Sequence, residues 1–208
     1  MITNYSGLKT AIADWLNRED LTSAVPDFIV LAEAQMQADI KHWRRTQRAS
    51  LTANDRFIAL PDGWHSTIRL TIDGDYKDLE LMSAREMADR RYRDEAADTP
   101  RFYRVADQSI ELYPSPAKDT TFILEYVEKI PTLSDSNTSN WVLDRAPDAY
   151  LYGSLIHSAT YLADDQRIPL WAQMYQAAVS RLNREKGETS GSNLRLRVSG
   201  LGGGGHYR

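Results

Sequence analysis

The chain has 208 residues, 42% of them hydrophobic, which is enough to bury the core of one medium-sized domain. It contains no cysteine, which excludes disulfide frameworks, thiolate zinc sites and thiol nucleophiles, and its formal net charge of −4 argues against a global attraction to nucleic acid. Neither a secretory signal nor an apolar run approaching the roughly 20 residues that span a bilayer is evident, so we expect a soluble protein made in a reducing cytoplasm.

Two amphipathic helices are predicted at the N-terminus. Asn4 or Thr3 can cap the first helix, and Pro26 lies in the first turn of the second. The first helix has apolar residues at steps of three and four, namely Tyr5, Leu8, Ile12, Trp15 and Leu16. The stripe of the second helix is Val25, Ile29, Ala32, Met36, Ile40 and Trp43.

The second helix is predicted to end in a basic stretch that contains Lys41, His42, Arg44, Arg45 and Arg48. Cations at a helix C-terminus complement the helix dipole, and this is the favoured interpretation. The alternative is a contact patch for a polyanion, formed by Lys41, Arg44, Arg45 and Arg48.

From residue 50 the apolar residues alternate with a period of two, which indicates strands. The predicted strands are 50–52, 56–60, 68–72, 76–81, 102–105, 110–113 and 120–127. Asp73-Gly74 is predicted to close a hairpin between 68–72 and 76–81, and Ser83 to cap a short helix over 84–92. Strands at this spacing are typical of a small antiparallel sandwich or barrel.

A polar linker over 132–140 leads to two further helices. The third long helix begins at Pro147, carries Leu151, Leu155, Ala159 and Leu162 on one face, and ends at Asp164-Asp165. The fourth has Pro169 in its first turn and a stripe of Trp171, Met174, Tyr175, Ala178 and Leu182. Because the link between them is short, we expect them to pack antiparallel.

The predicted fold class is therefore α+β. The N- and C-terminal helices form an antiparallel helical bundle, with a small antiparallel β domain inserted and an extended C-terminal tail. The expected boundaries are 1–48 and 132–186 for the two halves of the bundle, 49–131 for the β-rich insertion and 187–208 for a flexible docking tail.

No catalytic, metal or cofactor site is predicted. The four histidines show no ligand spacing, and His157 is expected to bond a neighbouring helix. Asp73-Gly74-Asp75 is explained by a hairpin turn, and Asp164-Asp165 by solvated carboxylates at a helix end. The glycines at 200, 202 and 205 match a dinucleotide fingerprint in form, but too little chain follows them for the required helix.

The informative motif is Asn193–Val198 in the tail. Leu194, Leu196 and Val198 alternate with polar residues, which is the pattern of a half-buried strand. A lone strand needs a partner, which is either the protein's own β-rich section or a sheet edge or groove of another subunit. Four glycines, 202–205, would let the last residues follow a tight surface.

In its helices and tail the chain resembles the head-to-tail adaptor (head-completion or tail-accessory) proteins of tailed bacteriophages. The matching segments are ADWLNREDL (13–21), PDFIVLAEA (26–34), AYLYGSL (149–155), ATYLADD (159–165), WAQMY (171–175) and the long tail. Their order along the chain covers most of it outside the β-rich section.

The resemblance implies a structural, non-enzymatic subunit at the head–tail junction of a virion, made in the host cytoplasm. Such subunits form a ring, usually of twelve copies, that docks on the portal protein and receives tail or nozzle proteins. DNA passes through the ring without sequence-specific binding, and no membrane or cofactor is implied. By this resemblance the portal-docking residues are Leu194, Arg195, Leu196, Arg197, Val198, His206, Tyr207 and Arg208.

Three aromatic residues, Trp43, Trp64 and Trp171, are candidates for the lateral faces of a ring subunit. Two other functions stay open. The first is a nucleic-acid-binding or packaging-associated module that uses residues 41–48 and 195–208. The second, less favoured, is a cell-wall hydrolase, for which the sequence offers no paired carboxylates.

Overall fold

A computed structural model of the protein describes residues 2–93, 98–162 and 166–185. Within them lie six α-helices and two small sheets, which confirms the α+β class. The helices are α1 Tyr5–Leu16, α2 Val25–Asp39, α3 Ala84–Arg93, α4 Trp141–Arg145, α5 Pro147–His157 and α6 Ile168–Arg184. The strands are β1 Thr46–Ala53, β2 Phe57–Ala59, β3 Trp64–Ile72, β4 Glu80–Leu81, β5 Phe102–Ala106, β6 Ser109–Tyr113 and β7 Thr120–Glu128.

Helix α1 begins and ends where local sequence signals place it. The Asn4 side chain accepts a hydrogen bond from the backbone N–H of Gly7 at 2.8 Å, and Asn17 adopts a left-handed conformation at the C-terminus. Of the predicted stripe, Tyr5, Leu8, Ile12 and Leu16 are buried. The prediction is wrong for Trp15, which is largely exposed and meets Tyr152 edge to face.

Helix α2 ends at Asp39, earlier than predicted. The side chain of Asn183 in α6 donates to the carbonyl of Asp39 at 2.9 Å and accepts from the backbone N–H of Lys41 at 2.8 Å. These bonds give hydrogen-bond partners to the carbonyl of Asp39 and the N–H of Lys41, and the chain turns away from the helix axis there. The basic stretch therefore follows the helix and does not form its last turn. The predicted interpretation as cations at a helix C-terminus still holds for Arg45, whose guanidinium donates to the carbonyls of Gln37 and Ile40 at the end of α2. Trp43 lies outside the helix and is exposed.

The helices from both ends of the chain share one hydrophobic core, which also receives Ile130 and Leu133 from the segment after β7. The largest side chains in it are Trp171, Tyr150, Tyr175 and Phe28. Gly153 of α5 lies at a close crossing of α2, α5 and α6, which leaves no room for a side chain. A Cβ built there would be 3.3 Å from each of Ala32, Met36 and Tyr175.

We expect Gly153→Val to lower the free energy of unfolding by about 1–3 kcal/mol, because overpacking forces neighbouring helices apart. The measurement is urea denaturation. Ala177→Val, on the exposed surface of α6, is the matched control and places the same β-branched side chain on a helix. Equal losses in the two variants would show that the Gly153 crossing is not tightly packed.

The strands form a three-stranded sheet, β1-β7-β3, and a four-stranded sheet, β2-β6-β5-β4. Residues of both sheets build a second core that includes Leu70, Ile110, Leu112, Phe122 and Leu124. The predicted hairpin of strands 102–105 and 110–113 is confirmed as β5 and β6. All pairings are antiparallel except that of β4 with β5.

The predicted hairpin between 68–72 and 76–81 forms over only a few residues, with backbone hydrogen bonds from Asp75 to Ile72 and from Leu79 to Leu70. The turn itself forms, with Gly74 at φ +82°, but β3 pairs with β7 and only a single bridge joins Thr71 to Asp78. Leu79 is buried in the core of the two sheets, and the chain then crosses to the second sheet as β4. Burial of Leu79 therefore outweighs continuation of the local hairpin.

Helix α3 begins with a capping box, as the prediction of a Ser83 cap requires. The Ser83 hydroxyl accepts from the backbone N–H of Glu86 at 3.3 Å, and the Glu86 carboxylate accepts from the backbone N–H of Ser83 at 3.2 Å.

The third long helix is shorter than predicted. Helix α5 ends at His157, and a 3-10 segment over Ser158–Tyr161 follows it. Asp148 at the start of α5 pairs with Arg181 near the end of α6 at 2.8 Å, the contact expected of antiparallel neighbours. Met174, predicted in the α6 stripe, is exposed. The proposed end of the third helix, Asp164-Asp165, lies outside the described residues.

Candidate docking surface

One side of α2 presents an apolar surface to solvent. Val30 and Leu31 are 59% and 49% exposed, and Ala34 and Ala38 follow on the same side of the helix. We call these four residues the α2 face. The only charged residue between Phe28 and Ala38 is Glu33, which is buried. Asp27, one turn before Val30 and Leu31, is exposed and bounds this side of the helix at its N-terminal end. An apolar helix side of this kind is typical of a surface that another protein covers.

Tyr161 extends the apolar surface beside the N-terminal half of α2. Its ring meets that of Phe28 edge to face at 5.4 Å, and the residue is 54% exposed. Helix α2, which carries this surface, is joined to its neighbour α5 by a hydrogen bond between Gln35 Oε1 and His157 Nε2 at 3.1 Å. This contact confirms the prediction that His157 bonds a neighbouring helix.

The predicted basic patch is divided by the fold. Arg45 is buried, and its guanidinium donates to the backbone carbonyls of Gln37, Ile40 and Glu128 at 2.7–2.9 Å. It joins the end of α2 to β7 and is not available to a partner. Lys41, Arg44 and Arg48 are exposed.

The last described residue, Glu185, is held beside the segment that leads into β1. Its carboxylate pairs with Arg145 at the end of α4 and lies 3.5 Å from Nε2 of His42. The His42 ring is buried between Trp43 and Trp141, and Nδ1 accepts from the backbone N–H of Arg44. Burial lowers the pKa of His42, so the ring is neutral at pH 7. These contacts fix the point from which residues 186–208 leave the helices.

A cavity of about 390 Å³ opens next to this point, between the end of α2 and the three-stranded sheet. Its lining includes Ile40, His42, Trp43, His65 and Val127. It lies where the helical core and the β-rich section meet, and Trp43 forms its exposed wall.

A buried polar network joins α2, α5 and the segment after β7. Glu33 accepts hydrogen bonds from the backbone N–H of Leu133 at 2.7 Å and from the Tyr150 hydroxyl at 3.0 Å. Asn140 donates to the Tyr150 oxygen and to the carbonyl of Pro131, and its Oδ1 caps α4. The side chains of Glu33, Asn140 and Tyr150 are all buried and bonded to one another or to the backbone of the linker, so the network specifies how the linker docks.

Burial raises the pKa of Glu33, although hydrogen bonds from Leu133 and Tyr150 oppose the shift. The folded protein therefore holds this proton more tightly than the unfolded chain does. The stabilising contribution of Glu33 is full below its unfolded pKa and is lost as the pH rises through the folded pKa.

We expect the free energy of unfolding of the wild type, minus that of Glu33→Gln, to fall as the pH rises from about 4 to about 7. The measurement is urea denaturation at several pH values. Glu19→Gln, at an exposed position, is the control for general carboxylate effects. A difference that grows with pH would contradict the assignment.

The described part of the chain holds no group of three or more His, Cys, Asp or Glu side chains that could bind a metal ion. In that same part, no helix is both long enough and apolar enough to pass through a bilayer.

The predicted docking residues 194–198 and 206–208 lie outside the described residues. The prediction that Trp171 makes lateral contacts between subunits is wrong, because this side chain is buried in the helical core. Of the other two aromatic candidates, Trp43 is exposed and Trp64 is half-buried.

Sequence reasoning missed the α2 face. The residues FIVL at 28–31 are apolar around the whole helix, and only Phe28 and Ile29 are buried. A helix segment that is apolar all round must be covered on all sides, and this signal could have identified the surface.

A family model described as SU10 adaptor protein matches residues 3–197 of the chain. The match spans both groups of helices, the β-rich section and the first part of the tail. No curated protein matches the chain significantly.

Proposed function

The chain belongs to the SU10 adaptor protein family of phage head–tail adaptors, and on that basis we propose that it is a ring-forming connector subunit of the virion. It docks on the portal protein through its C-terminal tail and provides the platform on which tail or nozzle proteins attach. The observation that carries this proposal is the family match over residues 3–197.

The α2 face supports the ring. A subunit of a closed ring needs two lateral surfaces, each covered by the next copy. Val30 and Leu31 supply exposed apolar area between the exposed Asp27 and the uncharged Ala34 and Ala38, which suits the centre of such a contact. The helices from the two ends of the chain share one hydrophobic core, which keeps that surface rigid. We take twelve copies from the family resemblance.

The anchored exit of the tail supports portal docking. Glu185 is tied to Arg145 and His42, so all later residues start from a defined position on the subunit. Residues 187–208 then extend to the portal, with Leu194–Val198 as a docking strand and His206–Arg208 as the terminal contact. A tail that binds the portal only once the portal is assembled couples attachment to that assembly.

The β-rich insertion, 49–131, is proposed to face the tail. Its core is separate from that of the helices, so it can present loops without disturbing the ring. DNA passes through the ring without sequence readout, since the net charge of −4 gives no general attraction to phosphate.

A second candidate function is a nucleic-acid-binding module, which the exposed cations at 41, 44 and 48 beside Trp43 favour. Two binding measurements separate the functions. We expect the protein to bind purified portal and to show no salt-steep affinity for duplex DNA. Strong DNA binding at low salt that Lys41→Ala, Arg44→Ala and Arg48→Ala remove, together with no portal binding, would favour the second function.

A further inference from the structure

Within the described residues the two sheets have four edges, and three of them are protected. Strands β2 and β4 are only three and two residues long. Strand β3 has two register shifts against β7, and Leu79 donates to the carbonyl of Leu70 on its outer side. Short strands, bulges and covering segments are the usual means by which sheet edges avoid unwanted pairing.

Strand β1 has none of these protections. All eight of its residues, Thr46 to Ala53, pair with β7 in continuous register. Its other side has no strand partner among the described residues. A long, regular and exposed edge is a ready template for another strand.

We propose that this edge of β1 is the binding site for Asn193–Val198 of the same chain. The segment adds as a fourth strand to the three-stranded sheet and occupies it until the portal competes for the same residues. This goes beyond the connector function, because it assigns a place to the docking strand in the unassembled subunit and does not require a portal.

The last described residue, Glu185, lies close to the start of this edge. Glu185 lies beside His42, and β1 begins at Thr46, four residues further along. Residues 186–192 can span about 3.3 Å each, or roughly 23 Å, and an eight-residue strand is of similar length. The segment can therefore reach the half of β1 that begins at Thr46 and is nearer to Glu185. Tethering also gives it an effective concentration on the order of millimolar, which favours its own edge over another copy's.

The side-chain pattern of the segment matches that of β1. Ala49, Leu51 and Ala53 point toward the core between the sheets, whereas Ser50 and Thr52 are exposed. With Leu196 beside Leu51, the flanking Leu194 and Val198 extend the apolar row in either strand direction. The two arginines, 195 and 197, then lie beside Ser50 and Thr52 on the exposed side. These two residues follow Arg48 by two and four positions along β1.

Because the full chain contains no cysteine, engineered pairs test the contact directly. We would combine Ser50→Cys with Arg195→Cys or with Arg197→Cys and oxidise the full-length protein at low concentration. The matched controls carry Ile68→Cys, exposed on β3 at the opposite edge, with the same tail substitutions. Peptide mapping by mass spectrometry identifies the disulfide.

We expect an intramolecular disulfide with Ser50→Cys that forms about tenfold faster, or more, than with Ile68→Cys. Equal rates, or covalent dimers in place of the intramolecular product, would overturn the proposal. As an independent measurement, Leu196→Asp in the cysteine-free chain should reduce hydrogen-exchange protection of β1 but not of β7. Unchanged protection of β1 would also overturn it. Portal binding by the reduced variants is measured separately, so this inference can fail while the connector function stands.

Discussion

A chain that ends after Ser190 is expected to lose binding to the portal completely while keeping its fold. The described residues of the helical core all lie at or before Leu182, so a chain that ends after Ser190 keeps every one of them and also keeps the pair of Glu185 with Arg145. It removes Leu194–Val198 and His206–Arg208, the residues proposed to touch the portal. Co-sedimentation with purified portal measures the binding, and the unfolding midpoint in urea checks the fold.

A matched full-length variant separates the docking strand from the rest of the tail. Leu194→Asp with Leu196→Asp should abolish binding as truncation does, because a charge replaces each apolar side chain of the strand. Glu188→Ala, before the strand, should bind like the wild type. Undiminished portal binding by the truncated chain would refute docking through the tail.

Leu31→Glu is expected to prevent ring formation on the portal. In the proposed ring this side chain is buried against the next copy, where an unpaired carboxylate is strongly disfavoured. In the isolated subunit Leu31 is about half exposed, so the free energy of unfolding should change by no more than about 0.5 kcal/mol. Mass photometry of portal mixed with excess subunit counts the bound copies.

Gln173→Glu adds the same charge to an exposed position on α6 and serves as the control. It should leave ring formation unchanged. Full rings with Leu31→Glu, or equal losses in the two variants, would show that the α2 face is not a contact between copies.

Elements specified by nearby residues were predictable from the sequence. Helix α1 has its own cap in Asn4, helix α3 has the Ser83–Glu86 capping box, and the β5–β6 hairpin turns at Asp107, which adopts a positive φ. In each case both partners of the deciding interaction lie within a few residues of each other.

Elements specified by distant residues were not predictable. The end of α2 depends on Asn183, which is 144 residues from Asp39 along the chain. The early start of β1 at Thr46 follows the continuous pairing with β7, and the burial of Arg45 depends on a carbonyl of Glu128. Local propensity carries no information on such partners.

The described part of the candidate site was not predicted, and the tail residues stay a prediction. The tail motif was evident because alternation of Leu194, Leu196 and Val198 stands out in a polar context. The α2 face was missed because a single stripe was sought on a helix that is apolar on two sides. The basic patch was overestimated, since the sequence does not show that Arg45 faces inward.

Electron microscopy of the full-length protein mixed with purified portal tests the connector function most directly. The proposal predicts a closed ring of this subunit on one end of the portal, with extra density for residues 193–198 on the portal surface. Particles of bare portal in the presence of a large molar excess of the subunit would contradict it.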